Sequence, residues 1–305
     1  MNEFSEKQVI IKNTGFKDRP INKLGVLHGI IISMAGYSEF ATASAAMALS
    51  GWETKQKATK TQRTFFFPMF DSVEDKSTED VYADTLQGQK FREDGKMQVK
   101  GMIDCDKYMA VNLRSFNGKN VEVFLFDESA SIWGTTPDGT KFKGMKATVR
   151  VGMQKLAAKG ERVLTPVEII FQEPRQWNEE GAVIEPMNQS ADWNPKTDID
   201  GVYDVNLATS AATVTSCKIT VKKAGIDPTM TISAVDGLVK ADFVLKTSAG
   251  VVKTITTLTE TGVSGEYTLV ATLANSDTIE LVSCASISLT TIKIEGVAPT
   301  TLVIS

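Results

Sequence analysis

The sequence has 305 residues, a formal net charge of −4 and a pI of about 5.3, a balance that argues against a protein built mainly to bind nucleic acid. Hydrophobic residues make up 42% of the chain and charged residues 23%, which is ordinary for a globular protein long enough for two domains. The three cysteines are few and widely spaced, which argues against a secreted disulfide framework and favours a reducing compartment.

Residues 1–64 are predicted to form an N-terminal arm and assembly segment. Residues 1–20 are polar and mixed in charge, whereas residues 26–50 are apolar but interrupted by small and polar residues. A transmembrane helix needs about 20 predominantly apolar residues, and a signal peptide starts with a short basic region, so both fit poorly. We expect the small side chains of residues 26–50 to pack against a partner surface. His28 is the only histidine, and no His-dependent mechanism is predicted.

A basic run closes the arm and an acidic stretch follows it. The run consists of Lys55, Lys57, Lys60 and Arg63. Charge runs usually form a solvated face, and the alternative is a positive loop that faces nucleic acid. Beyond the core aromatics Phe65–Phe67, residues 71–80 are acidic, and Ser77 with Asp80 indicates the start of a helix over residues 78–87, ending at Gly88.

Residues 65–173 are predicted to form an antiparallel β-meander core domain. Turn signals at Asp94-Gly95, Asn117-Gly118 and Asp138-Gly139 separate its segments, and such pairs favour hairpins. Alternation of apolar and polar residues predicts half-buried strands over residues 97–103, 109–113 and 147–153. In residues 121–126 both faces are apolar, so we expect that strand to be covered on both sides.

Residues 174–201 are predicted to be a linker, because three prolines remove ladder donors there. Trp177 and Trp193 imply that this linker packs onto something. Residues 202–305 are rich in Thr, Val, Ala and Ser, and short alternating segments between turn signals predict an immunoglobulin-like β-sandwich. The spacing of Cys217 and Cys284 is compatible with an inter-sheet pair, but two buried free thiols are favoured in a reducing compartment.

No catalytic constellation is evident along the chain. The sequence contains no phosphate-binding Gly-rich loop, no Gly-x-Ser-x-Gly and no His-Glu-x-x-His. The aspartate pairs at 104/106 and 198/200 lack the glycine and distal glutamate of a calcium loop, so ordinary turns are favoured there. We therefore predict a protein that is not an enzyme, with no cofactor and no metal site.

The order of these features resembles a bacteriophage virion protein of the tail-tube type. The run from Phe65-Phe66-Phe67-Pro68 through Trp133-Gly134-Thr135 and Gly139 to Glu168-Ile169-Ile170-Phe171 also resembles structural proteins of phages that infect Bacteroidetes, including crAss-like phages. The resemblance covers about residues 1–200, and the remainder resembles immunoglobulin-like modules generally. It implies a mostly β fold, with an antiparallel β-sandwich or barrel-like domain, one flanking helix and an appended β-sandwich.

The resemblance also implies a function and partners. We expect a structural subunit that self-assembles into a homo-oligomeric ring, a hexamer or another cyclic assembly, in a phage tail or neck. Its other partners are virion proteins and, non-specifically, passing DNA, with assembly in the host cytoplasm and no membrane insertion. The alternative is a capsid decoration or surface-adhesion protein that binds host glycan through its C-terminal domain.

Within such a ring, we expect opposite charges to meet between subunits. The basic run is predicted to face a neighbouring subunit and to pair with acidic residues there. Those acids are predicted to project toward the axis of the tube. They come from the acidic stretch, with Asp71, Glu74 and Asp75, or from a turn, with Asp127 and Glu128.

Overall fold

The structure is a computed structural model that describes residues 25–68, 70–85, 88–105, 107–155, 162–187, 191–199, 201–224, 233–288 and 293–304. The chain divides into two compact units, one of Met1–Gln56 with Lys60–Ile199 and one of Lys57–Thr59 with Asp200–Ser305. Strands dominate both units, which confirms the mostly β prediction.

The first unit contains eleven described strands and four short helices. The strands are β1 (Leu27–Met34), β2 (Thr64–Pro68), β3 (Phe70–Asp75), β4 (Val81–Thr85), β5 (Gly88–Glu93), β6 (Gln98–Asp104), β7 (Asn120–Asp127), β8 (Ile132–Thr135), β9 (Met145–Val151), β10 (Leu164–Phe171) and β11 (Gly181–Ile184). The helices are α1 (Ala43–Met47), α2 (Leu49–Lys57), α3 (Lys107–Arg114) and α4 (Arg175–Asn178).

Nine of these strands form one antiparallel sheet that curves into a barrel-like shape. Strand β7 lies at its centre and pairs with β1 on one side and with β8 and β9 on the other. The sheet continues from β9 through β10 and β6 to β3. Strands β2 and β3 follow one another in the chain and pair with β1 and β6 respectively, and the barrel-like arrangement stays open because no described strand pairs with the other edge of β2 or of β3. The barrel-like prediction is confirmed.

Strand β7 separates two hydrophobic cores. Val121, Val123 and Leu125 contribute to the core inside the curved sheet, where Leu113 of α3 also packs. On the opposite face of β7, Phe124 packs in a second core. That core also holds Phe40, Trp52, Ile132, Phe142 and Trp193. The prediction that residues 121–126 are covered on both faces is confirmed.

Residues 26–50 are not an arm. Strand β1 is paired on both sides, and Ile30, Ile31 and Ile32 have no exposed surface. The small residues serve packing inside this chain: a Cβ at Gly29 would lie 2.3 Å from Cζ of Phe126. A central strand that is covered on both faces is apolar along its whole length. Its composition is therefore the same as that of an apolar segment that needs a partner surface, and the sequence does not distinguish the two.

Two secondary-structure predictions in the first unit are wrong. Within the predicted helix over residues 78–87, residues 78–80 lie in a loop and residues 81–85 form the strand β4, which pairs with β5 in a two-stranded hairpin, while residues 86 and 87 lie outside the described residues. The predicted strand over residues 109–113 belongs to α3, whose buried residues Ala110 and Leu113 are three positions apart. A short segment can match both the helical period of 3.6 residues and the strand period of two residues. Its conformation then depends on which core surface it covers in the folded protein.

The predicted linker over residues 174–201 is part of the first unit. It contains α4 and β11, and β11 pairs with β8 through residues Gly181–Ile184. The prolines lie outside this strand, so the ladder keeps its donors. Trp193 is buried, and Trp177 packs against the core inside the curved sheet. The prediction that both tryptophans pack against the protein is confirmed.

The second unit is a β-sandwich, as predicted. Its strands are β12 (Val202–Ser210), β13 (Ser216–Lys223), β14 (Phe243–Lys246), β15 (Val252–Lys253), β16 (Thr257–Glu260), β17 (Glu266–Val270), β18 (Thr278–Leu281), β19 (Lys293–Gly296) and β20 (Thr300–Thr301). They form sheets with the orders β16-β17-β13-β12-β19 and β15-β14-β18-β20, which share one hydrophobic core. Cys217 and Cys284 are buried and form no disulfide, and burial raises the pKa of the Cys217 thiol to about 11.

Candidate assembly surfaces

Lys55 of the basic run is used inside its own unit. Its Nζ donates hydrogen bonds of 2.9 Å to the carbonyl oxygens of Tyr37 and Glu39. It also lies 4.6 Å from the centroid of the Phe40 ring. Desolvation by burial lowers the pKa of Lys55, while Glu122 and Glu39 oppose this shift. The side chain therefore holds the segment after β1 onto α2.

The other members of the basic run differ in exposure. Arg63 is buried, with 3% of its surface exposed, so it does not form part of a solvated face. Lys57 is half-buried and Lys60 is exposed. Lys55 is half-buried as well, so solvent reaches all of the four predicted cations except Arg63, and Lys57 and Lys60 are the two without a role described above.

Asp127 is a buried structural acceptor. Its two carboxylate oxygens accept hydrogen bonds from the backbone N–H of Gly25, Ser129 and Ser131 and from Nε1 of Trp133, all at 2.9–3.1 Å. Because only 1% of Asp127 is exposed, the prediction that it projects toward an axis is corrected. A carboxylate at the end of a strand can either accept hydrogen bonds from backbone N–H groups of the following turn or face solvent. The sequence alone does not distinguish these two outcomes. The neighbouring Glu128 is exposed.

The acids of β3 are exposed, as their predicted role requires. Asp71 lies 3.3 Å from the guanidinium of Arg162, and Glu74 pairs with Lys76. Hydrogen bonds from Ser77 lower the pKa of Asp75. Among the described strands, β3 pairs only with β6, so these acids lie along an open edge of the sheet.

The hairpin of β4 and β5 is a second exposed feature. Within the described part of the chain, its two strands pair only with each other. Val81 and Tyr82 are 39% and 55% exposed on it. An isolated hairpin is marginally stable in water, so packing against another surface would stabilise this one.

A cleft of about 840 Å³ lies beside this hairpin, and the sequence did not indicate it. Its apolar lining includes the buried residues Leu27 and Val99 and the partly buried Trp177. Exposed apolar side chains at its margin are Val26, Val73 and Tyr82. The charged lining residues are Asp75, Glu79, Asp80 and Lys96, so acids outnumber cations.

The cleft is assembled from distant segments of chain. It combines the start of β1, the end of β3, the loop of residues 76–80 and α4. No regular spacing in the sequence connects these segments, so no sequence pattern predicts the cleft as a whole. The acidic stretch of residues 71–80 is the part of it that is visible in the sequence, and it supplies three of the charged lining residues.

The described residues hold no group of three or more His, Cys, Asp or Glu side chains that could bind a metal ion. Of the aspartate pairs, Asp104 pairs with Arg162 and Asp198 accepts from the backbone N–H of Asn194, whereas positions 106 and 200 lie outside the described residues. No helix in the described ranges has the length and apolar character needed to cross a membrane. Comparison with models of known protein families gave no match, and neither did comparison with curated proteins.

Replacing Asp127 with Ala should destabilise the first unit by about 2–4 kcal/mol, because four donors lose a charged acceptor in a buried turn. Urea denaturation followed by tryptophan fluorescence measures this, since all four tryptophans precede residue 201. The control is Glu128→Ala at the exposed neighbouring position, expected within about 0.5 kcal/mol of the wild type. Equal effects of the two substitutions would contradict the assignment.

Proposed function

We propose that this protein is a structural virion protein that self-assembles into a ring or tube in a phage tail or neck. It acts through its surfaces and performs no catalysis, so it needs no cofactor. The observation that carries the proposal is the combination of an open sheet edge at β3 and an adjacent hairpin that pairs with no other described strand.

Both features favour contact with another copy. Edge strands present unpaired backbone groups that template pairing with a further chain, and closure into a ring removes such edges. The hairpin of β4 and β5 gains stability when a neighbour covers it. A ring also requires two different surfaces per subunit, and an edge and a hairpin meet this requirement.

The exposed charges fit a channel that DNA passes without tight binding. Each phosphate contact with lysine or arginine strengthens binding, so a conducting surface needs few net cations. Asp71, Glu74 and Asp75 supply exposed negative charge on β3. We propose that Lys57 and Lys60 pair with acids of a neighbouring subunit, while Lys55 and Asp127 support the fold.

The glycan-binding alternative has less support. Residues 202–305 contain three aromatic residues, of which Phe243 and Tyr267 are buried. The third, Tyr203, is 41% exposed, but Nζ of Lys223 lies 4.2 Å from its ring centroid. A sugar platform needs an accessible aromatic face, and this ring is partly covered.

Negative-stain electron microscopy of the purified full chain tests the proposal. We expect rings or tubes of uniform diameter, at rest or on concentration. The variant Lys57→Glu with Lys60→Glu should assemble less, most strongly at low salt, where repulsion is screened least. A chain that stays monomeric at every concentration and ionic strength contradicts the proposal.

A further inference from the structure

The helix α3 carries a mixed apolar and basic stripe on its surface. Ala110 and Leu113 are buried against the core inside the curved sheet, while most of the remaining helix surface is exposed. Lys107, Val111 and Arg114 stand at positions i, i+4 and i+7, which places them along one line of a helix. All three are exposed, and Val111 has 57% of its surface open. This α3 stripe therefore combines one apolar side chain with a cation at each end.

The segment around the stripe is basic as a whole. Residues 107–119 contain Lys107, Arg114 and Lys119 and no acidic residue. The side chains of all three cations are exposed. An exposed surface of this composition favours a partner surface that is apolar at its centre and acidic at its margin.

The cleft beside the hairpin has that composition. Leu27, Val99 and Trp177 give it an apolar floor, and its charged lining consists of three acids and one cation. The acids include Glu79, which is exposed at the margin. The volume of about 840 Å³ lies in the range of binding sites, roughly 300–1,000 Å³, and accommodates several side chains. The cleft and the α3 stripe are therefore complementary in both charge and hydrophobicity.

The α3 stripe does not reach the cleft of its own copy. The cleft includes Val99 near the start of β6, whereas α3 follows the end of that strand at Asp104. This length of strand spans about 17 Å. Packing of Ala110 and Leu113 in the core also holds α3 at its own end of β6. A second copy is therefore needed to bring an α3 stripe to the cleft.

We propose that the α3 stripe of one copy binds in the cleft of a second copy of this chain. The inference rests on the proposed function, because it names two surfaces through which copies assemble. Stripe and cleft are different surfaces, so their contact is heterologous and repeats head to tail. Such a contact builds a ring when its rotation closes and a filament when it does not.

Disulfide trapping in the full chain tests this contact. The double variant Val111→Cys, Glu79→Cys places one thiol in the α3 stripe and one at the cleft. The three native cysteines do not interfere, because all of them are buried. The matched control is Val111→Cys, Glu39→Cys, which moves the second thiol to an exposed glutamate that is not part of the cleft lining.

After mild oxidation, we expect the cleft variant to form a reducible ladder of covalent oligomers that extends beyond the dimer. The control should form about fivefold less, because a disulfide requires Cα atoms about 4–7 Å apart. A disulfide confined to monomers, or a ladder that stops at the dimer, overturns the head-to-tail contact. A ladder of equal intensity in both variants, or no disulfide in either, overturns it as well.

Negative-stain microscopy of the untreated wild type separates this contact from the proposed function. Rings or tubes without the trapped ladder refute the contact and leave the proposed function intact. A trapped ladder from a protein that forms neither rings nor tubes supports the contact and contradicts the proposed function.

A charge exchange supplies an independent readout. Glu79→Lys should weaken assembly about fivefold to tenfold at low salt, because the margin of the cleft then repels the basic stripe. Adding Lys107→Glu or Arg114→Glu should restore assembly toward the wild-type level, and the one that does so reports which end of the stripe lies beside position 79. Light scattering across a salt series measures these changes.

The matched control for the charge exchange is Glu39→Lys, which reverses the same charge outside the cleft lining. It should leave assembly within about twofold of the wild type, since exposed ion pairs contribute little. An effect of Glu39→Lys equal to that of Glu79→Lys contradicts the proposed contact. Failure of both Lys107→Glu and Arg114→Glu to rescue Glu79→Lys contradicts it too.

Discussion

Deleting residues 1–34 should abolish cooperative folding of the first unit, whereas deleting residues 1–24 should leave it folded. The longer deletion removes β1, which pairs with both β2 and β7 and contributes Ile30–Ile32 to two cores. The loss should exceed the whole stability of a typical domain, about 5–15 kcal/mol. Tryptophan fluorescence during urea denaturation reports this unit alone, because all four tryptophans precede residue 201.

The deletion of residues 1–24 is the control, and it also tests the role in assembly that the sequence predicts for the N-terminal arm. It should retain the sigmoidal transition of the full chain while losing rings or tubes in the microscope. If the chain without residues 1–34 still unfolds cooperatively by tryptophan fluorescence, β1 is dispensable and the description of the barrel is wrong. If the chain without residues 1–24 assembles like the wild type, those 24 residues have no role in assembly.

Trp52→Ala should destabilise the first unit by about 3–5 kcal/mol. Trp52 has no exposed surface, and its Nε1 donates a 2.7 Å hydrogen bond to the carbonyl oxygen of Ala46. Its ring centroid lies 4.5 Å from that of Phe40 and 5.1 Å from that of Phe124. Removing the indole leaves a large cavity between the α1–α2 segment and the sheet, together with an unpaired carbonyl group.

Two substitutions calibrate this effect in the same urea experiment. Trp52→Phe keeps most of the volume and loses the hydrogen bond, so it should cost clearly less than Trp52→Ala. Tyr37→Ala removes an aromatic ring that is 44% exposed and should change the free energy of unfolding by about 0.5 kcal/mol or less. If Trp52→Ala costs no more than Tyr37→Ala, the second core does not hold the helices onto the sheet.

The candidate surfaces could be predicted only in part from the sequence. The exposure of Asp71, Glu74 and Asp75 agrees with the prediction that they project from the surface, whereas their role in assembly stays a prediction. Asp127 and Arg63 carry the same charges as exposed residues, yet they are buried. Charge type does not reveal whether a side chain finds partners inside the fold. The cleft could not be predicted, because it joins residue 25 to residue 178 through contacts with no sequence period.

The sequence by itself determined the β class, the doubly covered character of residues 121–126 and the sandwich of residues 202–305. Each follows from local alternation, turn residues or a run that is apolar on both faces. Tertiary structure decided the rest: residues 27–34 became a central strand, residues 107–114 a helix and residues 181–184 a strand of the main sheet. These segments are short and locally ambiguous, so their conformation depended on which core surface remained to be covered and which strand edge remained to be paired.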